Sequence, residues 1–109
     1  MSVTNAEIAD IFERLADLLE IEGANAFRVR AYRNAARFVR GHGRSFTELV
    51  GQGADLSRLP GIGKDLAGKI ATIVQTGKLP LLATVRARVP APLLEMTRIE
   101  GLGPKRAKA

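Results

Sequence analysis

The sequence predicts a small all-α domain. Apolar residues recur every three or four positions through most of the chain, and capping signals precede several of these stretches. No alternation of apolar and polar residues is long enough to predict a strand. The 109 residues suit one domain, and 46% hydrophobic residues are enough to build one modest core.

The first two helices are the longest that the pattern predicts. The first covers residues 4–22, opens on a capping box formed by Thr4 and Glu7, and is followed by Gly23 as a stop signal. One apolar stripe runs along it, made of Ile8, Ile11, Phe12, Leu15, Leu18 and Leu19. The second covers residues 27–40, and helical spacing predicts one apolar face made of Phe27, Ala31, Ala35 and Phe38.

Glycine and proline divide the rest of the chain into five shorter helical segments. Ser45 and Glu48 repeat the capping-box pattern at the start of the first of them. The segments are predicted at residues 45–51, near residue 56, and at residues 64–76, 80–88 and 93–97.

Charge is unevenly distributed along the chain, whose formal net charge is +6. Residues 1–26 hold six acids and one arginine, residues 27–44 hold six arginines and no acid, and the remainder holds ten bases and five acids. A basic surface beside an acidic helix fits a polyanionic partner, although ordinary solvated charge explains the composition equally well.

The arginines of the second helix are spaced for one face. Arg30, Arg33, Arg37 and Arg40 advance by three or four residues, so we expect an arginine rail along that helix. Arginine is well shaped to bind phosphate. The alternative is that these side chains pair with the acids of the first helix.

Several classes of function are excluded or disfavoured by composition. The chain has no cysteine and a single histidine, so a zinc site of the Cys/His type cannot form. His42 lies between two glycines in a predicted turn, which makes a Ser-His-Asp triad a poor expectation. Neither a signal peptide nor a membrane span is evident, so we expect a cytoplasmic, nucleoid-associated protein.

One local pattern occurs twice, 40 residues apart. It reads apolar-x-x-apolar-x-Gly-apolar-Gly-x-x-x-Ala and resembles the helix-hairpin-helix motif. The first copy centres on Gly61-Ile62-Gly63 and the second on Gly101-Leu102-Gly103. We expect the two glycines to allow positive φ and to leave the backbone uncovered, with the apolar residue between them filling the gap between helices. The amides that follow would bind a phosphate oxygen, independently of base sequence.

The whole chain resembles the amino-terminal region of family X DNA polymerases, a nucleotidyltransferase family, and is closest to the bacterial branch. The blocks that carry this resemblance are Phe27-Arg28-Val29-Arg30-Ala31-Tyr32-Arg33-Asn34-Ala35-Ala36, Leu59-Pro60-Gly61-Ile62-Gly63 with Ala67, Lys69 and Ile70, Thr76-Gly77-Lys78-Leu79, and Ile99-Glu100-Gly101-Leu102-Gly103-Pro104. The resemblance implies a lyase-like helical domain over residues 1–88, with its hairpin at residues 56–76. Residues 89–109 would be the start of a second, fingers-like hairpin, which looks cut from a longer chain.

In that family this region holds the 5′-phosphate side of a DNA gap during base excision repair. The resemblance and the motif together imply DNA contacts by Arg28, Arg30, Tyr32, Arg33, Gly61, Gly63, Lys64, Lys69, Gly101, Gly103 and Lys105. The resemblance also implies a Na⁺ or K⁺ ion at each hairpin. Its ligands would be the backbone carbonyls of Ser57, Leu59 and Ile62, and those of Thr97, Ile99 and Leu102.

Lys69 falls on the position of the lysine with which some family members remove a 5′-deoxyribose phosphate through a Schiff base. Such an attack needs a neutral amine, which burial or neighbouring positive charge from Lys64 and the arginine rail would favour. Asp65 and Gly68 depart from the lyase pattern, so lyase chemistry stays an alternative. The acids are too scattered for the two-metal site of nucleotidyl transfer.

Three hypotheses follow from the sequence. The first is a DNA-binding module of a repair polymerase, monomeric and without a cofactor beyond the possible monovalent cations. The second is a 5′-deoxyribose phosphate lyase that uses Lys69. The third is a helical domain that binds protein.

Overall fold

The computed structural model describes residues 3–88. It contains α1 (Asn5–Ile21), α2 (Ala26–Gly41), α3 (Phe46–Gly51), a 3₁₀ turn (Leu56–Arg58), α4 (Lys64–Thr76) and α5 (Pro80–Arg88). Residues 3–88 contain no strand, which confirms the predicted all-α class. The helix predicted at residues 93–97 and the whole second hairpin lie outside the described residues.

The helix ends follow the local signals in the sequence. Thr4 caps α1 with a complete capping box, in which its hydroxyl accepts from the Glu7 amide at 3.1 Å and the Glu7 carboxylate accepts from the Thr4 amide at 3.2 Å. Gly77 ends α4 in the left-handed conformation, with φ of 77°. Pro80 opens α5, where a missing amide hydrogen costs nothing.

The core is built chiefly between α1 and α2. The α1 stripe is buried as predicted at Ile8, Phe12, Leu15, Leu18 and Leu19, and Ile11 is half-buried at its edge. Ile70 and Ile73 of α4 and Val85 of α5 are fully buried in the same cluster. The hairpin that precedes α4 is therefore attached to the core through α4.

The predicted apolar face of α2 is wrong in part. The face that packs into the core consists of Val29, Tyr32, Ala35, Ala36 and Val39. Phe27 is 76% exposed and Ala31 lies in solvent, whereas Phe38 is half-buried against His42 and Phe46. Both sets of residues have helical spacing, so periodicity alone could not choose between them. The stacking of Tyr32 on Phe12, with ring centroids 6.0 Å apart, helps to set the rotation of α2.

Candidate nucleic-acid interface

The first hairpin is a tight turn between the 3₁₀ turn and α4. Asp55 caps the 3₁₀ turn, since its carboxylate accepts from the Ser57 amide at 3.1 Å. The same carboxylate also accepts a hydrogen bond from the Ser57 hydroxyl. The two hydrogen bonds stabilise the charged carboxylate and so lower the pKa of Asp55. The Ile62 amide then donates to the Leu59 carbonyl at 3.0 Å, which closes the turn around Pro60 and Gly61. Backbone and side-chain hydrogen bonds therefore hold residues 55–62, which lead into α4.

The two glycines of the hairpin have different backbone conformations. Gly61 has φ of 79°, a region that favours glycine, as the sequence predicted. Gly63 has φ of −86° and ψ of −178°, an extended conformation open to any residue, so the expectation of positive φ is wrong there. A Cβ placed on Gly63 would meet no atom within 4 Å. The absence of a side chain at Gly63 therefore leaves open space above the start of α4.

Ile62 lies between the two glycines and is 3% exposed. It belongs to the same buried cluster as Ile70 and Ile73 of α4. This confirms that the apolar residue of the hairpin fills the space between the helices. Burial of Ile62 fixes the turn against α4, so the glycines on either side of it are held at the surface.

The first turn of α4 presents uncapped amides. Gly63 is the N-cap residue and offers no side-chain hydrogen bond, while its carbonyl accepts from the Ala67 amide at 2.9 Å. The first amides of a helix have no partner within the helix, and they lie at the positive end of the helix dipole. Lys64, the first residue of α4, is exposed beside them. Together these groups make a surface suited to an anion.

Lys69 lies one turn further along α4 and forms an ion pair with Asp65. Its Nζ is 2.7 Å from Oδ2 of Asp65. The Lys69 side chain is 18% exposed, whereas that of Asp65 is 79% exposed. Positive charge was the predicted surrounding of this amine, and its contact partner is instead a carboxylate. The i,i+4 spacing of the two residues is the signal that could have predicted the pair.

The arginine rail is divided between two roles. Arg33 donates to Asp17 at 2.9 Å and to Glu20 at 2.7 Å. Burial alone would lower the pKa of Arg33, but the hydrogen bonds to Glu20 and Asp17 outweigh it and raise the pKa. Arg40 pairs in the same way with Asp10 at 2.8 Å and Glu13 at 3.1 Å. Half of the rail thus joins α2 to α1, as the alternative interpretation proposed.

The other arginines of α2 remain at the surface. Within residues 3–88, neither Arg28, Arg30 nor Arg37 forms an ion pair, and all three are exposed. The Arg30 guanidinium lies over the exposed ring of Phe27, with its carbon 5.9 Å from the ring centroid. Their charge is available to a polyanion, whereas much of the charge of Arg33 and Arg40 is already compensated by α1.

Tyr32 is 4% exposed and packs in the core against Phe12. The structure thus places this predicted DNA contact in the interior. Its burial follows from the rotation of α2, which brings residues 29, 32, 36 and 39 onto α1.

The first predicted cation site lies in the described part of the chain. The Leu59 carbonyl accepts one hydrogen bond, from Ile62, which leaves a second lone pair for a ligand. Among residues 3–88, no group of three or more His, Cys, Asp or Glu side chains is placed to hold a metal ion. The second predicted set, Thr97, Ile99 and Leu102, lies outside the described residues, as do Gly101, Gly103 and Lys105.

These features define a small all-α domain whose surface site is a glycine turn that opens a helix. The chain belongs to the helix-hairpin-helix domain family, whose model matches residues 3–79. It is also similar to the DNA polymerase/3′-5′ exonuclease PolX of Bacillus subtilis (strain 168). The two are 32% identical over 100 residues, which cover 92% of this chain and 17% of that relative. The similarity confirms the predicted resemblance to the amino-terminal region of family X DNA polymerases.

The described helices are each too short or too polar to cross a bilayer. The longest of them, α1, has 17 residues and carries charged side chains along its length.

Proposed function

We propose that this chain binds DNA through its backbone phosphates, as the gap-recognising and 5′-phosphate-recognising module of a family X repair polymerase. The observation that carries the proposal is the start of α4, where the N-cap residue Gly63 supplies no side chain to cap the first-turn amides. A phosphate oxygen accepts hydrogen bonds from such amides without any contact to a base. Lys64 adds a positive charge at the same place.

The rest of the basic surface would position the duplex around this contact. Arg28, Arg30 and Arg37 are exposed on α2 and form no ion pair among the described residues. We assign them to phosphates further along the DNA. Arg33 is assigned mainly to the joint between α1 and α2.

The proposal is tested by Gly63→Ala. The new methyl group meets no atom of the protein within 4 Å, so the fold should be unchanged, but it would project into the space that the phosphate needs. We expect affinity for gapped duplexes of two unrelated sequences to fall about equally, by roughly 10-fold, since one charge-assisted hydrogen-bond site is lost. Fluorescence anisotropy measures both affinities.

Gly51→Ala is the matched control. Gly51 is exposed at the end of α3 and an added Cβ there also meets no atom within 4 Å. The Gly51→Ala variant should bind DNA with the affinity of the wild type. Loss of affinity for one sequence only would contradict backbone binding, and unchanged affinity in Gly63→Ala would favour a protein-binding role for the domain.

We also propose that the carbonyls of Ser57, Leu59 and Ile62 hold a monovalent cation when DNA is bound. Such an ion would supply positive charge between the turn and a phosphate oxygen. Replacing K⁺ by tetramethylammonium at constant ionic strength should weaken binding, because the larger ion cannot approach carbonyl oxygens as closely as K⁺ does. Equal affinity in the two salts would contradict the proposal that an ion bridges the turn and the phosphate.

A second candidate function is removal of a 5′-deoxyribose phosphate by Lys69. The observation that favours it is the placement of Lys69, whose side chain is 18% exposed, on the helix that the hairpin opens. Its ion pair with Asp65 would have to separate before the amine could attack. Borohydride reduction in the presence of gapped DNA that carries the sugar phosphate should trap a covalent adduct, which Lys69→Ala should abolish. Binding without an adduct would leave only the DNA-binding function.

A further inference from the structure

We infer that Asp65 is a specificity-determining residue of the hairpin, which limits the preference of the site for a terminal phosphate over an internal one. The inference rests on the proposed function. Its observation is the position of the Asp65 carboxylate, in the first turn of α4 and 2.7 Å from the amine of Lys69. A negative charge thus stands beside the proposed anion site.

The ion pair explains where this carboxylate lies. An acid in the first turn of a helix is able to fold back onto the free amides or to reach along the helix to a residue four positions on. Asp65 takes the second course, and no side chain caps the amides. The amides stay available to a ligand, while the carboxylate compensates the charge of Lys69.

Two kinds of phosphate respond differently to this charge. A diester in the DNA backbone carries one negative charge, whereas a terminal phosphate monoester carries between one and a half and two at neutral pH. Asp65 repels both, but it repels the monoester more. It also occupies Lys69, whose ammonium would otherwise attract the additional charge. Both effects reduce the gain that the hairpin obtains from a 5′-phosphate.

The experiment compares two gapped duplexes that differ only in a 5′-phosphate or a 5′-hydroxyl at the downstream strand. The quantity measured is the ratio of the Kd for the 5′-hydroxyl duplex to the Kd for the 5′-phosphate duplex. Asp65→Asn should raise this ratio by roughly 5- to 10-fold, because the two duplexes differ by the one and a half to two charges of the terminal phosphate and each unit charge about 6 Å away counts for about threefold in water. Affinity for both duplexes should rise, since Asp65 repels internal as well as terminal phosphates.

Two control variants separate this effect from general charge. Asp65→Glu keeps the charge and the i,i+4 pairing, so it should keep the wild-type ratio. Glu48→Gln removes the same charge from an exposed acid on α3 and should also leave the ratio unchanged.

The outcomes distinguish this inference from the function on which it rests. If Asp65→Asn strengthens both complexes equally, or changes neither, Asp65 is only a helix-stabilising residue and the inference is wrong. If the wild type and Asp65→Asn both fail to bind either duplex, the proposed function and the inference fall together. A raised ratio that Asp65→Glu does not show supports the assignment.

Discussion

Gly61 and Gly63 look equivalent in the sequence, yet they are needed for different reasons. Gly61 has a left-handed backbone that a side chain would strain, whereas Gly63 is extended and has room for a Cβ. One glycine therefore serves the fold of the turn, and the other serves the approach of a ligand. Gly63→Ala should therefore weaken binding at unchanged stability, whereas Gly61→Ala should lower the stability of the turn and, through it, weaken binding.

We expect Gly61→Ala to lower the free energy of unfolding by about 1 kcal/mol, because alanine is strained at positive φ. Urea denaturation measures this change. Gly77→Ala is the control for the backbone effect, since Gly77 has nearly the same φ at the far end of α4. Both variants should lose stability, but only Gly61→Ala should also weaken DNA binding. Full stability in Gly61→Ala would show that the turn can adopt another conformation.

At the scale of elements, α2 is joined to α1 by charge as well as by apolar packing. Arg33 and Arg40 each reach two acids of α1, and those acids are spaced three residues apart. This spacing puts both acids of a pair on one side of α1, so that one guanidinium can contact both. Arg37 lies between the two arginines along α2 but is not paired within the described residues.

Arg33→Met and Arg37→Met form a matched pair that tests this division. Arg33→Met should lower the free energy of unfolding by roughly 1 kcal/mol, a value kept small because the side chain is about one-third exposed and solvent screens its pairs. Arg37→Met should leave stability nearly unchanged. The order of the effects on DNA binding should be reversed, with the larger loss in Arg37→Met. Equal stability of the two variants would contradict the structural role given to Arg33.

At the scale of the whole molecule, the acidic and basic parts of the chain partly neutralise each other. The acids of α1 contact arginines of α2, and Glu22 pairs with Arg88 of α5 at 2.9 Å. Part of the net charge of +6 therefore lies on cations that have no acidic partner among residues 3–88, and the sequence beyond α5 adds further basic residues. This excess should attract DNA at long range.

Binding should consequently weaken steeply with salt. Each neutralised phosphate contributes about 0.9 to the slope of the logarithm of affinity against the logarithm of salt concentration. Arg37→Met should reduce that slope by about one, whereas Arg33→Met should change it less. Anisotropy titrations at several KCl concentrations give the slopes. If the affinity of the wild type did not change with salt concentration, binding through phosphates would be contradicted.

The sequence by itself determined the helices, their caps and the first hairpin. Thr4, Gly61, Gly77 and Pro80 act on backbone within a few residues of themselves, and local interactions of this kind can be read from spacing. The i,i+4 pair of Asp65 and Lys69 also depends on local spacing, although it was not predicted. The similarity over 92% of the chain agrees with the family that these local motifs predicted.

Only the tertiary structure decided which side of α2 faces the core and which of its arginines pair with α1. Phe27 and Tyr32 both lie on plausible apolar faces, and docking on α1 buried the second while leaving the first exposed. Arg33 meets acids 16 and 13 residues away, and Arg40 meets acids 30 and 27 residues away. Such contacts depend on how two helices rotate against each other, and helical periodicity is the same for every rotation.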